Sequence, residues 1–158
     1  MNIIFLDIDG VLNSKTWSES ETYKSFGNSV LRHFDLRSVE LLNRLVAETN
    51  AKVVISSSWR FLRSLQELND IFRQVGFKFK LYSLTPIQNV YEAEKPGQRG
   101  MEIEEWLNDP RRKNMDIKYA ILDDVNDFLE PQQQYFFQTN PDIGLDTTIT
   151  EQVIQFFK

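Results

Sequence analysis

The strongest constraint on the fold is an alternation of short apolar runs with segments of helical periodicity. Apolar runs at Ile3–Leu6, Lys52–Ser56 and 117–124 are bounded by polar residues, which is typical of buried strands. Apolar stripes with helical spacing follow them, at 35–49, 61–75, 99–107 and 149–157. Strands that alternate with helices form right-handed crossovers around a mainly parallel sheet. The pattern therefore predicts an α/β fold, a Rossmann-like three-layer α/β/α sandwich.

Three remaining segments complete this prediction. Phe77–Leu84 alternates at period two and is predicted as an edge strand, and Tyr135–Thr139 is predicted as a short strand. Segment 14–34 is mostly polar, has neither period, and is interpreted as a flap. No interval between these segments is long enough for a separate cap domain. We therefore expect one capless domain spanning 1–158.

The composition excludes several classes of site. The chain has no cysteine and a single histidine, His33, which excludes disulfides, thiolate zinc sites and multi-histidine metal sites. The formal net charge of −5 argues against a non-specific nucleic-acid coat, which needs a basic surface. No apolar run approaches the roughly 20 residues that span a bilayer, and no basic segment precedes the first strand. We therefore expect a cytoplasmic protein without a membrane partner.

Chemically capable side chains follow three of the predicted strands. Asp7 and Asp9 follow the first strand, Ser56 ends the second, and Asp123 and Asp124 end the strand at 117–124. In a parallel sheet the carboxyl ends of the strands lie at one edge, and ligands bind beyond that edge. We therefore expect these side chains to lie close together.

A cluster of carboxylates needs a cation to be stable. A single aspartate after a strand usually caps a turn, and "DG" at 9–10 is a common turn signal. Two negative charges about 4 Å apart, however, repel by about 1 kcal/mol in water and about 4 kcal/mol at an effective dielectric constant of 20. A hard divalent cation with oxygen ligands relieves this repulsion, and Mg²⁺ is the natural candidate. Aspartate is also ionised at neutral pH, so it can act as a nucleophile without an activating base.

The order of these motifs resembles that of the haloacid dehalogenase (HAD) superfamily. "DIDGV" at 7–11, "ISSS" at 55–58, a later basic residue and "ILDD" at 121–124 follow the order of that superfamily. The longer stretches "FLDIDGVLN", "ISSSWR", "RGMEIEEWL" and "YAILDD" are similar to the HAD domain of Swiss Army Knife RNA repair proteins. The resemblance covers essentially the whole chain. It implies a Mg²⁺-dependent phosphatase that forms an aspartyl-phosphate intermediate.

The resemblance also implies a role for each matching residue. Asp7 would be the nucleophile. Asp9 would be the general acid and then the general base, and its backbone carbonyl would reach the metal. Ser56 would bind the transferring phosphoryl group, and Asp123 and Asp124 would complete the Mg²⁺ site with Asp7.

The resemblance also implies roles for a basic residue and for a glycine. The basic residue that neutralises the phosphoryl group is either Lys95 or Arg99. We favour Arg99, because "RGMEIEEWL" carries the resemblance and a helix N-terminus attracts anions. Gly10 would let the chain turn away so that the phosphate can approach.

The residues after Ser56 are further candidates for substrate binding. Ser57 could add a phosphate contact. Trp59 could stack a nucleobase and Arg60 could hold a backbone phosphate, although core packing is the alternative for Trp59. Asp127 is interpreted either as a support of the metal site or as a surface residue.

An open site guarded only by the flap at 14–34 suits a bulky substrate. We therefore expect the terminal phosphate of a nucleic acid or nucleotide as substrate, with a small-molecule or protein phosphatase as the alternative. A non-catalytic phosphoacceptor or binding domain is a third hypothesis. Motif order disfavours it, because a receiver domain carries its acceptor aspartate after a middle strand.

Overall fold

The centre of the fold is a five-stranded parallel sheet. The computed structural model describes residues 1–88 and 96–158. The strands are β1 Asn2–Leu6, β2 Lys52–Ile55, β3 Leu81–Leu84, β4 Lys118–Asp123 and β5 Phe136–Gln138. Their order across the sheet is β3-β2-β1-β4-β5, and every neighbouring pair is parallel. The predicted Rossmann-like α/β fold is confirmed.

Helices surround this sheet. They are α1 Lys15–Ser18, α2 Glu21–Ser25, α3 Leu36–Thr49, α4 Leu65–Gln74, α5 Gln98–Leu107 and α6 Thr147–Phe157. Short 3-10 turns lie at Val30–His33, Ser58–Phe61, Pro110–Arg112 and Glu130–Tyr135. Among the helices that the structure describes, none combines the length and the apolar composition needed to cross a bilayer.

Strand β1 is buried on both faces, which fixes the position of its carboxyl end. Ile4 and Leu6 belong to the core that includes buried residues of α3, α4 and α6. Ile3 and Phe5 belong to a second core, where Phe5 packs edge-to-face on Trp106 of α5 at 5.2 Å between ring centroids. A strand covered by helices on both faces is expected to be a continuous apolar run, as this one is.

Helix α4 begins later than predicted. The sequence predicts a helix from residue 61, but Ser58–Phe61 forms a 3-10 turn and the helix begins at Leu65. Ser64 caps it, because its side chain accepts from the Glu67 backbone N–H while the Glu67 side chain accepts from that of Ser64. This reciprocal capping box fixes the start of the helix.

Strand β3 is an edge strand, as predicted, but it is shorter than Phe77–Leu84. Two helix side chains accept from backbone donors before and at the start of this strand. The Asn43 Oδ1 accepts from Lys78 N at 2.8 Å, and the Asn69 Oδ1 accepts from Leu81 N at 2.9 Å. The other predicted boundaries lie within two residues of those observed.

The flap at 14–34 is folded rather than irregular. Serines cap its three short turns, since the side chains of Ser14, Ser20 and Ser29 each accept from a backbone N–H two or three residues later. Trp17 is buried in the flap and donates its indole N–H to the Arg32 carbonyl at 2.7 Å. Periodicity missed these elements because each is too short to show a helical stripe.

Candidate active site at the carboxyl edge of the sheet

The ends of β1 and β4 bring three carboxylates together. Asp7, Asp123 and Asp124 each offer a carboxylate oxygen within 4.8 Å of the others. Backbone hydrogen bonds continue past the strand ends, from Asp7 N to Leu122 O and from Ser56 N to Leu6 O, both at 2.9 Å. The convergence expected from a parallel sheet is therefore observed for these strands.

Burial and like charge raise the pKa of each carboxylate in this cluster. Burial raises the pKa of Asp7 to about 6, although hydrogen bonding by Ser57 and the charge of Arg99 oppose the shift. Burial, and then the charge of Asp7, raise the pKa of Asp123 to about 8. The pKa of Asp124 is raised too, chiefly by burial. Three such groups are the arrangement that a hard divalent cation with oxygen ligands would stabilise.

Gly10 allows Asp124 to lie against the turn after β1. Its φ is +74°, a region that residues with a side chain rarely adopt. A Cβ atom at this position would lie 2.4 Å from the Asp124 Cγ. The glycine is therefore required by the carboxylate cluster as well as by the turn.

The two serines after β2 differ in their hydrogen bonding. The Ser57 hydroxyl hydrogen-bonds the Asp7 carboxylate and lowers its pKa. The Ser56 Oγ is buried and has no hydrogen-bond partner among the described residues. Because an unsatisfied buried hydroxyl is costly, this atom is a candidate donor to a bound ligand.

Arg99 extends from the first turn of α5 toward the serines. Its Nη1 donates to the Ser56 carbonyl, and its charge lowers the pKa of both Asp7 and Asp123. The Asp127 carboxylate accepts from the backbone N–H of Gly97 and, at 3.1 Å, from that of Arg99. Asp127 therefore caps α5 and fixes the residue that carries the guanidinium. Lys95, the other basic candidate, lies outside the described residues.

The position of Arg60 corrects its predicted contact with substrate. Its side chain is 0% exposed and pairs with Glu102, which is 1% exposed. It also donates to the Ser57 carbonyl at 2.6 Å and to the Thr85 carbonyl at 3.2 Å. A guanidinium enclosed in this way links the serine loop to α5. It is not available to a substrate phosphate.

Asp9 lies apart from the three-carboxylate cluster. Its side chain is exposed, and its Oδ1 accepts from Asn13 Nδ2 at 2.8 Å. Its Oδ2 accepts from Trp59 Nε1 at 3.0 Å. Trp59 is half-buried and packs against the core, as one of the two sequence interpretations held, but neither interpretation included this contact. Its proximity to Asp9 depends on the fold, since the two residues lie 50 positions apart.

A cleft of about 390 Å³ lies beside the carboxylate cluster. Asp7, Asp123, Arg99 and Asp127 line it, and the exposed ring of Phe61 lies at its edge. The cleft combines a guanidinium with clustered carboxylates. These groups can bind a metal cation together with an oxyanion such as phosphate.

The comparisons with known proteins agree with this geometry. The family model described as the HAD domain in Swiss Army Knife RNA repair proteins matches residues 3–149. Separate searches of curated proteins and of solved structures found no match. The family match supports a HAD-type hydrolase. The chain belongs to the HAD domain family of Swiss Army Knife RNA repair proteins.

Proposed function

We propose that this chain is a Mg²⁺-dependent phosphomonoesterase that acts through an aspartyl-phosphate at Asp7. The observation that carries the proposal is the buried Ser56 hydroxyl, which has no hydrogen-bond partner within residues 1–88 and 96–158 and belongs to the same sheet edge as Asp7, Asp123 and Asp124. A phosphoryl oxygen would satisfy this hydroxyl, and the charge of Arg99 would favour its binding. Asp7, Asp123 and Asp124, with the backbone carbonyl of Asp9, are the residues proposed to hold the cation. When bound, Mg²⁺ supplies charge neutralisation for the phosphoryl group.

The reaction has two steps. In the first, a carboxylate oxygen of Asp7 attacks phosphorus, the bond to the leaving oxygen breaks, and Asp9 gives that oxygen its proton. In the second, water attacks phosphorus, Asp9 takes the proton, and the bond to Asp7 breaks to release phosphate. Arg99 and Ser56 hold the phosphoryl oxygens throughout.

We propose a terminal phosphate of a nucleic acid as the substrate. The family of RNA repair domains supports this class, and so does the cleft, which has no cap domain among the described residues. A single domain spanning 1–158 and a cytoplasmic location remain predictions from the sequence. A small-molecule or protein phosphomonoester is the alternative substrate.

The experiment compares hydrolysis of an aryl phosphate by the wild type and by Asp7→Asn. The wild type should hydrolyse it with Mg²⁺ and lose the activity in excess chelator. Asp7→Asn should be inactive, because it keeps the size of the side chain and removes the nucleophilic oxygen. Asp116→Asn is the matched control, since this exposed residue precedes β4 at the opposite end of the sheet.

Activity in Asp7→Asn, or full activity in chelator, would contradict the mechanism. Substrate class is tested next, with oligonucleotides bearing a 3′- or 5′-phosphate, free nucleotides and a phosphopeptide. A kcat/KM highest for an oligonucleotide supports the proposed class. Preference for the phosphopeptide or for a free nucleotide rejects it without affecting the mechanism.

A further inference from the structure

We propose that Trp59 and Asn13 are positioning residues that orient Asp9 for proton transfer, and that the end of the flap holds them in place. The inference rests on the proposed function, because it concerns the general acid of that reaction. It assigns Trp59 a role in catalysis that differs from base stacking and from core packing.

Two N–H donors hold the two oxygens of one exposed carboxylate. Asn13 donates to Oδ1 at 2.8 Å and Trp59 donates to Oδ2 at 3.0 Å. A solvent-exposed aspartate with a single partner can still rotate about its side-chain bonds, whereas two donors on different oxygens fix the carboxyl plane. An ionised carboxyl has about four acceptor positions, and these two bonds use two of them. Positions therefore remain on both oxygens for the transferred proton.

The donors are themselves held by contacts that do not involve Asp9. Asn13 Nδ2 also donates to the His33 carbonyl at 3.1 Å, and Asn13 Oδ1 accepts from Gly10 N at 2.9 Å. The Trp59 ring packs edge-to-face on His33 at 5.8 Å and on Phe34 at 5.3 Å between centroids. Both donors thus contact residues 33–34, where the flap ends. The flap is connected to the general acid through both donors.

The orientation of Asp9 should affect the hydrolysis rate of some phosphate esters more than that of others. An alkyl leaving oxygen, such as that of a sugar, must gain a proton as its bond to phosphorus breaks, and Asp9 is the donor. A nitrophenolate is a stable anion and leaves without that proton. General acid catalysis contributes roughly 10²–10⁴-fold to a rate, so a misaligned Asp9 should slow the alkyl substrate selectively.

Trp59→Phe tests this directly, because it removes the indole N–H and keeps an aromatic ring against His33 and Phe34. The measured quantity is kcat/KM for an alkyl phosphate and for p-nitrophenyl phosphate, since kcat/KM covers the steps through release of the leaving group. We expect about a tenfold loss or more for the alkyl substrate and at most about a threefold loss for the aryl substrate.

Trp17→Phe is the matched control. Its indole N–H donates to the Arg32 carbonyl inside the same flap, not to Asp9. Trp17→Phe should therefore change kcat/KM for the two substrates by the same factor. Asn13→Ala provides a second variant for the proposal and should show the same selective loss, although it also removes the bond to Gly10. In an Asp9→Asn background, Trp59→Phe should cause no further selective loss.

The outcomes separate this inference from the proposed function. The positioning role is rejected if Trp59→Phe and Asn13→Ala each lower kcat/KM equally for the alkyl and the aryl phosphate. If Asp7→Asn is inactive at the same time, the phosphatase mechanism still holds. The positioning role is also rejected if Trp59→Phe, added to Asp9→Asn, causes a further loss that is larger for the alkyl than for the aryl phosphate. Activity in Asp7→Asn rejects the proposed function itself. Thermal unfolding of each variant identifies losses that come from the fold.

Discussion

Two groups of residues near the carboxyl edge of the sheet are held by different kinds of contact. The basic wall is defined as Arg60, Arg99, Glu102 and Asp127, and the acid wall is defined as Asp9, Asn13 and Trp59. On the basic wall a fully buried ion pair and a carboxylate cap fix the start of α5. On the acid wall two hydrogen bonds hold an exposed carboxylate.

This difference indicates how each wall responds to change. Breaking a buried ion pair leaves an uncompensated charge, so the basic wall is coupled to the stability of the whole fold. A hydrogen bond at an exposed carboxylate can be lost to water at small cost, so the acid wall can change its geometry while the fold persists. Variants of the basic wall should therefore change stability first, and variants of the acid wall should change catalysis.

The largest effect on stability is expected from the buried pair. Glu102→Ala leaves the Arg60 charge buried without its carboxylate and should lower the free energy of unfolding by about 3–5 kcal/mol. Glu151→Ala is the control, because its pair with Arg44 is exposed and should contribute at most about 1 kcal/mol. Urea denaturation of both variants measures the difference. Equal losses would show that the basic wall is not fixed by its buried charges.

The carboxylate cluster of Asp7, Asp123 and Asp124 should make metal binding depend on pH. The folded-state pKa values of Asp7 and Asp123, about 6 and about 8, lie above the unfolded value near 3.8. Folded protein without metal therefore binds more protons than unfolded protein, and its stability should fall as the pH rises from about 4 to about 8. Mg²⁺ competes with those protons and should stabilise the fold more at pH 8 than at pH 5.

Thermal unfolding with Mg²⁺ or chelator checks this prediction. At about 100 times its dissociation constant, a ligand adds about 2.7 kcal/mol. Asp123→Asn removes the most strongly shifted group, so it should flatten the pH dependence in chelator and reduce the response to Mg²⁺. A fold that becomes more stable with rising pH in chelator would contradict the assigned pKa directions.

The cap on α5 should have a smaller effect on stability and a separate effect on activity. Asp127→Ala removes a carboxylate that accepts two backbone N–H groups, which should cost about 1 kcal/mol. Asp146→Ala is the matched control, because Asp146 caps α6 through Ile149 N. Both variants should lose similar stability, but only Asp127→Ala should lose phosphatase activity, since Arg99 is displaced. Equal activities would reject a positioning role for Asp127.

The smallest effect on stability is expected from Arg63, which contacts Trp59 of the acid wall. The Arg63 guanidinium carbon lies 4.6 Å from the centroid of the Trp59 ring, where a cation–π contact contributes about 0.5–1 kcal/mol. Arg63→Met should change the free energy of unfolding by no more than that. It should also leave the ratio of alkyl to aryl phosphate hydrolysis unchanged, because His33 and Phe34 still hold the ring. A changed ratio would show that Arg63 helps to orient Asp9.

Local pattern was sufficient to predict the sheet and the carboxylate cluster. The strand ends at Asp7, Ser56 and Asp123 follow from apolar runs that stop at polar residues, and the parallel sheet brings those ends to one edge. The start of α4 was also readable, since "SLQE" at 64–67 is a capping-box sequence that the apolar period alone did not reveal.

The long-range side-chain contacts around the site could not be predicted from the local sequence pattern. Arg60 and Glu102 are 42 positions apart, and Trp59 and Asp9 are 50 apart, so no periodicity signals either contact. An arginine after a serine motif is more often exposed than buried. The sequence therefore predicted phosphate binding for Arg60, whereas its partner lies in α5.

The most direct test of the central claim is a rapid-quench measurement on Asp9→Asn with p-nitrophenyl phosphate and Mg²⁺. This substrate needs no proton from Asp9 to phosphorylate Asp7, but hydrolysis of the intermediate needs Asp9 as base. We predict a burst of about one nitrophenolate per chain, with the phosphoryl group on the tryptic peptide Met1–Lys15. Turnover without a burst, or a phosphoryl group on any other peptide, would contradict Asp7 as the nucleophile.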